Sequence, residues 1–331
     1  MDMKPARRAW LERIVARTAR AISRNWSRPD RLWWAEDLPL RTARVGDTEI
    51  CYATAGEGPP VILVHGFATS LSIWANQIRP LSDSFCVTDL DLIGHGYSAK
   101  PEIEYTVQAY TDVLVGLLDV LEIPSATFVG NSMGDLLCLC LAQTHPERVD
   151  RLVLIGGTSP LYQPPRMRAI REFAEKSPWL SGRLWNLFEL VVPIPLKWIE
   201  RKGRSNMLDD PDVLGQEWVD HLYELRRMKG FSHMVVSTMR NLMDLTLYEN
   251  AVHQVSQATC MIWGQSDRVI PVEHGRTLQR TLRAARLEII PGCGHLPMLE
   301  KPELTTELIR SFLTDPMSGQ GQSILRGLEK N

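Results

Sequence analysis

The sequence predicts an α/β protein built on a mostly parallel sheet, with helices on both faces and a helical segment inserted near the middle. Segments with the apolar character of strands alternate with segments of helical periodicity, which is typical of this class. The strand-like segments are continuously apolar, as at Val61–Val64, which indicates burial on both faces. The alternation stops after residue 157 and resumes at residue 256. We therefore expect a core of residues 38–157 and 256–315, and a helical cap of residues 158–255.

The length and composition are those of a globular protein with a sizeable core: 331 residues, 44% hydrophobic and 23% charged. The formal net charge of -2 argues against a nucleic-acid partner, and no stretch reaches the length of a transmembrane helix. The six cysteines show no disulfide framework, so a cytoplasmic location is expected. Neither Cys-x-x-Cys nor His-Glu-x-x-His occurs, and the sequence therefore predicts no metal site and no cofactor.

Residues 1–37 are predicted to be a basic amphipathic extension. Residues 1–31 carry nine Lys or Arg side chains against three acidic ones. Apolar residues from Trp10 to Trp26 recur at intervals of three and four, as on one face of a helix, and Pro29 ends the pattern. Two interpretations stay open. The helix lies on an anionic membrane surface as a peripheral contact, or its apolar face packs on this chain or on a second copy in a homodimer.

The strands and helices of the core follow in order from residue 38. Two alternating segments on either side of Gly46-Asp47 predict a hairpin. Residues 316–331 are predicted to be a polar tail. The remaining segments predict strands at Val61–Val64, Phe85–Thr88, Ala126–Val129, Arg151–Ile155, Ala258–Trp263 and Ala285–Ile290, and helices at Tyr105–Leu121, Leu136–Leu141, Glu273–Leu282 and Leu304–Leu313.

The stretch from Ala126 to Leu141 carries the strongest functional signal. A predicted strand runs into Gly130-Asn131-Ser132-Met133-Gly134, and an apolar helix-like segment follows. In this context the motif predicts a sharp turn that exposes the Ser132 hydroxyl at a helix N-terminus. Such a turn strains the serine backbone, so the residues two before and two after it must be small, as Gly130 and Gly134 are. The alternative is a serine in an ordinary strand-to-helix turn, because the motif alone recurs by chance.

A catalytic serine needs a base and an orienting acid, and the last two strands offer one each. Among the eight histidines, only His295 lies in a glycine-rich loop after a strand near the C-terminus. Asp267 follows the preceding predicted strand, where a carboxylate can orient His295. The end of the predicted strand Arg151–Ile155 is the other place where the orienting acid could lie, but Gly156-Gly157-Thr158 offers no carboxylate there. The order Ser132, Asp267, His295 fits this kind of fold.

The oxyanion of a serine reaction would be bound by two backbone N–H groups. We predict those of Met133, directly after the serine, and Phe67, in the loop after Val61–Val64. Gly66 lets that loop approach Ser132, and His65 is predicted to hydrogen-bond the loop as a structural residue. Four further polar residues after the next strand are predicted to be structural and to shape a tight turn: Asp89, Asp91, His95 and Ser98. Cys293 is predicted to pack as a buried residue.

Together these motifs resemble the α/β-hydrolase-fold serine hydrolases with a helical cap, which include esterases, lipases and related C–C hydrolases. The resemblance spans residues 40–314 and implies a mostly parallel eight-stranded sheet, a Ser132-His295-Asp267 triad, and an oxyanion hole at Phe67 and Met133. Asp135 stands where many relatives have a second glycine, which places a charge near the serine. The matching motifs are His65-Gly66-Phe67, Asp91-x-x-Gly94-His95-Gly96-x-Ser98, Gly130-Asn131-Ser132-Met133-Gly134, Trp263-Gly264-x-x-Asp267-x-x-x-Pro271 and Gly294-His295-x-Pro297-x-x-Glu300-x-Pro302.

The resemblance also narrows the reaction. Serine at the turn argues against epoxide hydrolases and haloalkane dehalogenases, which carry aspartate there. C–C hydrolases of ring-cleavage products share Asn-Ser-Met-Gly, but they usually have a Gly-Pro-Gly-like oxyanion loop and a tryptophan after the histidine. Here Ala68 follows Phe67 and Leu296 follows His295. The expected activity is therefore that of a carboxylesterase acting on a small-molecule ester through an acyl-enzyme. C–C hydrolysis, perhydrolase or haloperoxidase chemistry, and a non-catalytic ligand-binding or accessory role remain alternatives.

Overall fold

The structure is a computed structural model, and it describes residues 31–32, 35–157, 207–242 and 252–315, together with the single positions 172, 176, 185 and 203. The described residues include ten strands. They are β1 (Arg31–Leu32), β2 (Ala35–Pro39), β3 (Arg41–Val45), β4 (Thr48–Ala55), β5 (Pro60–Val64), β6 (Cys86–Leu90), β7 (Ala126–Asn131), β8 (Val149–Ile155), β9 (Ala258–Gly264) and β10 (Ala285–Ile290).

Eight of these strands form one sheet in the order β10-β9-β8-β7-β5-β6-β4-β3. The six strands from β10 to β6 pair in parallel, while β4 pairs antiparallel with both β6 and β3. The predicted mostly parallel eight-stranded sheet is confirmed. The predicted hairpin is also present, because Val45 pairs with Thr48 across a turn in which Gly46 has a φ of 58°. Glycine suits this turn, since L-residues rarely adopt such a φ.

Helices cover the sheet. The described α-helices are α1 (Ile78–Ser82), α2 (Val107–Val120), α3 (Met133–Thr144), α4 (Gln216–Arg226), α5 (Phe231–Leu242), α6 (Glu273–Thr281), α7 (Pro297–Glu300) and α8 (Pro302–Thr314). Short 3-10 turns occur at Leu71–Trp74, Pro146–Arg148, Pro211–Val213 and Val252–Gln254. None of the described helices combines the length and the apolar character that a bilayer-spanning helix needs.

Two apolar cores lie on the opposite faces of the sheet. Along β5, Val61 and Leu63 point into one core, whereas Ile62 and Val64 point into the other. Helices α1, α4 and α8 supply the first core, and α2, α3, α5 and α6 supply the second. Because β5 is apolar on both sides, its continuous hydrophobic run is explained by burial between two helical layers.

Several predicted segments fall outside the described residues: the N-terminal helix, residues 158–206 of the cap apart from the four single positions, residues 243–251 of the cap, and the tail from residue 316. The cap boundaries therefore stay a prediction. The sequence did not predict the short antiparallel sheet formed by β1 and β2, which pairs Arg31 with Pro39. It also did not predict α7, a four-residue helix that precedes α8.

Candidate active site

Ser132 lies at the junction of β7 and α3 in a strained backbone conformation, with φ 55° and ψ -112°. Its N–H donates to the Ile155 carbonyl at 3.0 Å, which fixes the turn against β8. A Cβ at Gly130 would lie 2.6 Å from the Gly134 backbone, and a Cβ at Gly134 would overlap the Val64 carbonyl oxygen. Both glycines are therefore required by close backbone packing around a conformation that a non-glycine residue rarely adopts.

His295 and Asp267 form a buried pair over the end of β8. His295 Nδ1 lies 2.8 Å from Asp267 Oδ2, and the side chains of the two residues are 1% and 0% exposed. The other carboxylate oxygen of Asp267 accepts the N–H groups of Val269 and Ile270 at 2.8 and 2.9 Å. With Asp267 accepting, the imidazole proton is assigned to Nδ1, and Nε2 keeps a lone pair. This is the tautomer that a general base at Nε2 requires.

Ser132 follows β7 and His295 follows β10, which are separated in the sheet by β8 and β9, and in the described part of the chain the two side chains are not hydrogen-bonded to each other. Gly156 directly follows Ile155, whose carbonyl binds the Ser132 N–H. A Cβ at Gly156 would lie 3.3 Å from His295 Nδ1 and 3.4 Å from Asp267 Oδ2. The three predicted side chains therefore gather around the ends of β7 and β8. Catalytic hydrogen bonds are often long in unliganded sites and shorten when substrate binds.

The loop after β5 packs directly on the serine. A Cβ at Gly66 would lie 3.1 Å from both Ser132 Cβ and Asn131 Oδ1, so glycine permits this approach. Within the described residues, no hydrogen bond uses the N–H of Phe67. Met133 is the first residue of α3, where helix N–H groups lack intrahelical partners. Two free donors therefore flank the serine, as an oxyanion hole requires.

His65 holds the loop after β5 through hydrogen bonds of its ring. Its Nδ1 lies 2.7 Å from the Gly66 carbonyl oxygen, and its Nε2 accepts the Leu92 N–H at 3.0 Å. These contacts assign a neutral imidazole protonated at Nδ1. Burial lowers the pKa of His65 to about 4, against a smaller opposing effect of the Gly66 hydrogen bond. The ring is thus uncharged near neutral pH, and its contacts are those of a structural residue.

The polar residues after β6 hold their own loop. Asp91 accepts the N–H groups of Leu71 and Tyr97 at 2.8 and 2.7 Å, and Ser98 Oγ donates to the Asp91 carbonyl oxygen at 2.6 Å. Burial raises the pKa of Asp91 to about 6 and lowers that of His95 well below its ordinary value. The contacts of Asp91 and Ser98 are the structural ones predicted for them, whereas Asp89 lies within β6 and its Oδ1 has no hydrogen-bond partner among the described residues.

The surroundings of Asp135 disfavour the charge that the sequence suggests beside the serine. Its side chain is fully buried, and neither carboxyl oxygen has a hydrogen-bond partner among the residues that the structure describes. Burial raises the pKa of Asp135 well above its ordinary value, which favours the neutral acid. The carboxyl group occupies space that a Cβ at Gly157 would overlap. An uncharged acid does not repel an oxyanion electrostatically, so the conflict with oxyanion binding does not arise.

Cys293, two residues before His295, is not in the environment of a nucleophilic thiol. Cys293 is fully buried, and burial raises the pKa of its thiol, so the thiolate is disfavoured. All six cysteines are free thiols. No group of three or more His, Cys, Asp or Glu side chains in the described ranges is arranged to hold a metal ion.

A groove of about 340 Å³ lies elsewhere, between α4 and Tyr97. Glu217, Asp220 and Glu224 contribute carboxylates to its wall, and Leu225 contributes apolar surface. None of the predicted triad or oxyanion residues lines this groove. It therefore does not represent the apolar acyl pocket expected beneath the cap.

Comparisons with known proteins agree with this fold. The family model described as alpha/beta hydrolase fold matches residues 59–302. The chain is 29% identical to an uncharacterized protein of Mycobacterium tuberculosis, over 84% of this chain and 82% of that one. It is also 29% identical to a 2-hydroxymuconate semialdehyde hydrolase of Pseudomonas sp. (strain CF600), over 79% of this chain and 89% of that one. A meta-cleavage product hydrolase structure from Pseudomonas fluorescens superposes with a TM-score of 0.70 at 24% identity, covering 82% and 97% of the two chains.

Proposed function

The chain belongs to the alpha/beta hydrolase fold family, and on that premise we propose that it is a serine hydrolase that cleaves carboxylic esters. The observation that carries the proposal is the buried 2.8 Å hydrogen bond between His295 and Asp267 at the strand end next to the strained Ser132. A histidine in the Nδ1–H tautomer and a serine held at a helix N-terminus are the two groups that nucleophilic acyl transfer needs.

In the proposed reaction, His295 Nε2 takes the proton of the Ser132 hydroxyl while the serine oxygen attacks the ester carbonyl carbon. The negative charge that develops on the carbonyl oxygen is stabilised by the N–H groups of Phe67 and Met133. Asp267 keeps the imidazole oriented and stabilises its protonated form. The alcohol then leaves with the proton from His295, and water hydrolyses the acyl-enzyme by the same steps.

C–C hydrolysis of ring-cleavage products is the second candidate. It is supported by the relatedness to the 2-hydroxymuconate semialdehyde hydrolase and to a 2-hydroxy-6-oxo-2,4-heptadienoate hydrolase of Pseudomonas putida, which is 28% identical over 82% of this chain. Both reactions break a bond to a carbonyl carbon, so the same triad would serve either. The loop sequence Phe67-Ala68 and the Leu296 that follows His295 keep ester hydrolysis as the first candidate.

The experiment compares two substrate types with one pair of proteins. Wild type and Ser132→Ala are assayed on a p-nitrophenyl ester series and on 2-hydroxymuconate semialdehyde. Ester hydrolysis that disappears in the variant supports the first candidate. If the protein cleaves the semialdehyde and no ester, C–C hydrolysis replaces ester hydrolysis as the proposed function. If neither substrate is cleaved, the binding or accessory role takes its place.

Two further properties belong to this proposal. The cap is proposed to select esters of short to medium acyl chains, which a preference for very long chains would contradict. Residues 1–31 are proposed to bind an anionic membrane surface peripherally or to mediate a homodimer, with the protein in the cytoplasm. Deleting these residues separates the two roles, because loss of liposome binding supports the first and loss of the dimer supports the second.

A further inference from the structure

Glu300, the last residue of α7, accepts hydrogen bonds from two separate parts of the chain. Its Oε2 accepts the N–H groups of Asp209 and Asp210 at 2.7 and 3.4 Å. Its Oε1 accepts those of Gly294 and Leu296 at 2.9 and 3.4 Å. The residue is 8% exposed, so these contacts are largely shielded from water. One carboxylate thus binds the backbone on both sides of His295 and a segment far from it in sequence.

The two segments also touch each other directly. The His295 N–H donates to the Met207 carbonyl oxygen at 2.7 Å. A Cβ at Gly294 would lie 2.5 Å from that oxygen and 2.8 Å from Asp209 N, so the backbones pack without room for a side chain. The histidine loop, defined here as Cys293–Leu296, is therefore held against residues 207–210. Those residues lie within the predicted cap and precede α4.

We propose that Glu300 is a positioning residue for His295, because it fastens the histidine loop to residues 207–210 of the cap. The inference rests on the proposed function, since it takes His295 as the base. It adds that the placement of the imidazole depends on the position of the cap segment. Displacement of residues 207–210 would accordingly move the base relative to Ser132.

A carboxylate suits this position because every group facing it is a donor. Both of its oxygens accept, and hydrogen bonds from N–H groups to a charged acceptor are stronger than those to a neutral one. An amide at the same place would direct its NH2 group at the N–H groups of one segment. Glu300→Gln should therefore release either the histidine loop or the cap segment while changing the side-chain volume little.

The test measures catalysis by each correctly folded molecule. Wild type, Glu300→Gln and the control Glu303→Gln, which is exposed on α8, are assayed on the best ester, with rates expressed per fluorophosphonate-labelled site. We expect Glu300→Gln to lower kcat by at least about tenfold with KM changed by less than about twofold, since misplacing a catalytic group by 1 Å costs that much or more. Fluorophosphonate labelling should slow by a similar factor. Glu303→Gln should leave both rates unchanged.

Gly294→Ala provides an independent variant, because its Cβ pushes residues 207–209 off the histidine loop. Gly294→Ala should also lower kcat. In the double variant with Glu300→Gln, the fold-decrease in kcat should be smaller than the product of the fold-decreases of the two single variants. Glu300→Asp, which keeps the carboxylate, should recover part of the loss.

The proposal is overturned if Glu300→Gln unfolds at a lower temperature yet keeps the wild-type kcat and labelling rate. If Glu300→Gln does not fold, a wild-type kcat in Gly294→Ala overturns it instead. Wild-type protein that neither turns over an ester nor reacts with the fluorophosphonate would instead refute the proposed function, and this inference with it.

Discussion

At the scale of single residues, the geometry of Ser132 depends on the two glycines beside it. A serine at φ 55° is held only because the surrounding backbone packs closely enough to impose that conformation. Gly134 contributes most directly, since its Cα lies against the Val64 carbonyl of the neighbouring strand. The strain at the candidate nucleophile is therefore balanced by packing between β5 and α3.

Gly134→Ala should destabilise the protein, because its Cβ would overlap the Val64 carbonyl oxygen and that backbone atom cannot move freely. Overpacking of this kind costs about 1–3 kcal/mol of unfolding free energy. Urea denaturation measures the change. Gly215→Ala is the control without overlap, because a Cβ there meets nothing within 4 Å. Gly215 is the N-cap of α4, where glycine is preferred to alanine, so this substitution should cost less than about 1 kcal/mol. Equal effects of the two substitutions would contradict this account of the turn.

The buried Asp135 makes stability depend on pH. Its pKa is raised in the folded protein, so the folded state binds its proton more tightly than the unfolded chain does. The stability that the folded protein gains from holding this proton is fully present below the ordinary carboxyl pKa. It is lost as the pH rises toward the raised pKa of the folded protein. Asp135→Asn removes the titration. Its free energy of unfolding relative to wild type should therefore increase from pH 4 to pH 7, by up to about 1.4 kcal/mol per pH unit.

Urea denaturation at four pH values across that range provides the measurement. Asp150→Asn, at an exposed position, is the control and should show no such trend. A difference between wild type and Asp135→Asn that stays constant with pH would refute the assignment of a neutral buried acid.

The candidate residues could be named from the sequence because each lies in a local motif with its own physical requirement. Ser132 has small flanking residues, and His295 and Asp267 each follow a predicted strand. The state of Asp135 could not be predicted in this way. Its burial depends on Gly157, which is distant in sequence, and the pattern alone suggests a charge at a helix N-terminus. The role inferred for Glu300 likewise depends on contacts with Asp209 and Asp210 that no local pattern encodes.

At the scale of elements, α5 is fastened to the start of α2 by side chains that cross between them. Tyr110 and Thr238 share a hydrogen bond of 2.7 Å, and both side chains are fully buried. Ser237 Oγ accepts the Tyr105 N–H at 2.8 Å, and Arg240 forms an ion pair with Glu104. The described end of the predicted cap is thus tied to the core by buried polar contacts.

Thr238→Val should leave the buried Tyr110 hydroxyl without its partner while keeping the side-chain shape. Losing one partner of a buried hydrogen bond costs about 1–3 kcal/mol. Thermal and urea unfolding test this, with Thr314→Val at the exposed end of α8 as the control. A Thr238→Val protein as stable as wild type would show that this contact does not hold α5 in place.

Long apolar or strongly periodic elements could be predicted, and short polar ones could not. The sheet strands and helices α2, α6 and α8 carry the required periodicity along most of their length. Strand β2 includes Glu36 and Asp37 and pairs only with the two-residue β1, so tertiary contacts rather than local preference define it. Helix α7 has four residues, too few for a periodic pattern.

At the scale of the whole molecule, the chain order of the elements determines which strand ends meet. Parallel pairing brings the ends of β7, β8, β9 and β10 to one edge, and the loops after β7, β9 and β10 carry Ser132, Asp267 and His295 respectively. Ligands of open α/β sheets bind at this edge. Alternation thus predicts that the three loops meet, whereas the residues within them are named from local motifs. The identity of the substrate could not be predicted, because it depends on the shape of a pocket that alternation does not encode.

The central claim is that Ser132 is a nucleophile activated by His295, and covalent labelling tests it most directly. Wild type, Ser132→Ala and His295→Ala are incubated with a fluorophosphonate, and the adduct is located by mass spectrometry. We predict a single adduct on Ser132 in wild type, none in Ser132→Ala, and labelling slowed by at least about a hundredfold in His295→Ala. Wild-type protein that stays unlabelled, or that carries the adduct on another residue, would contradict the claim.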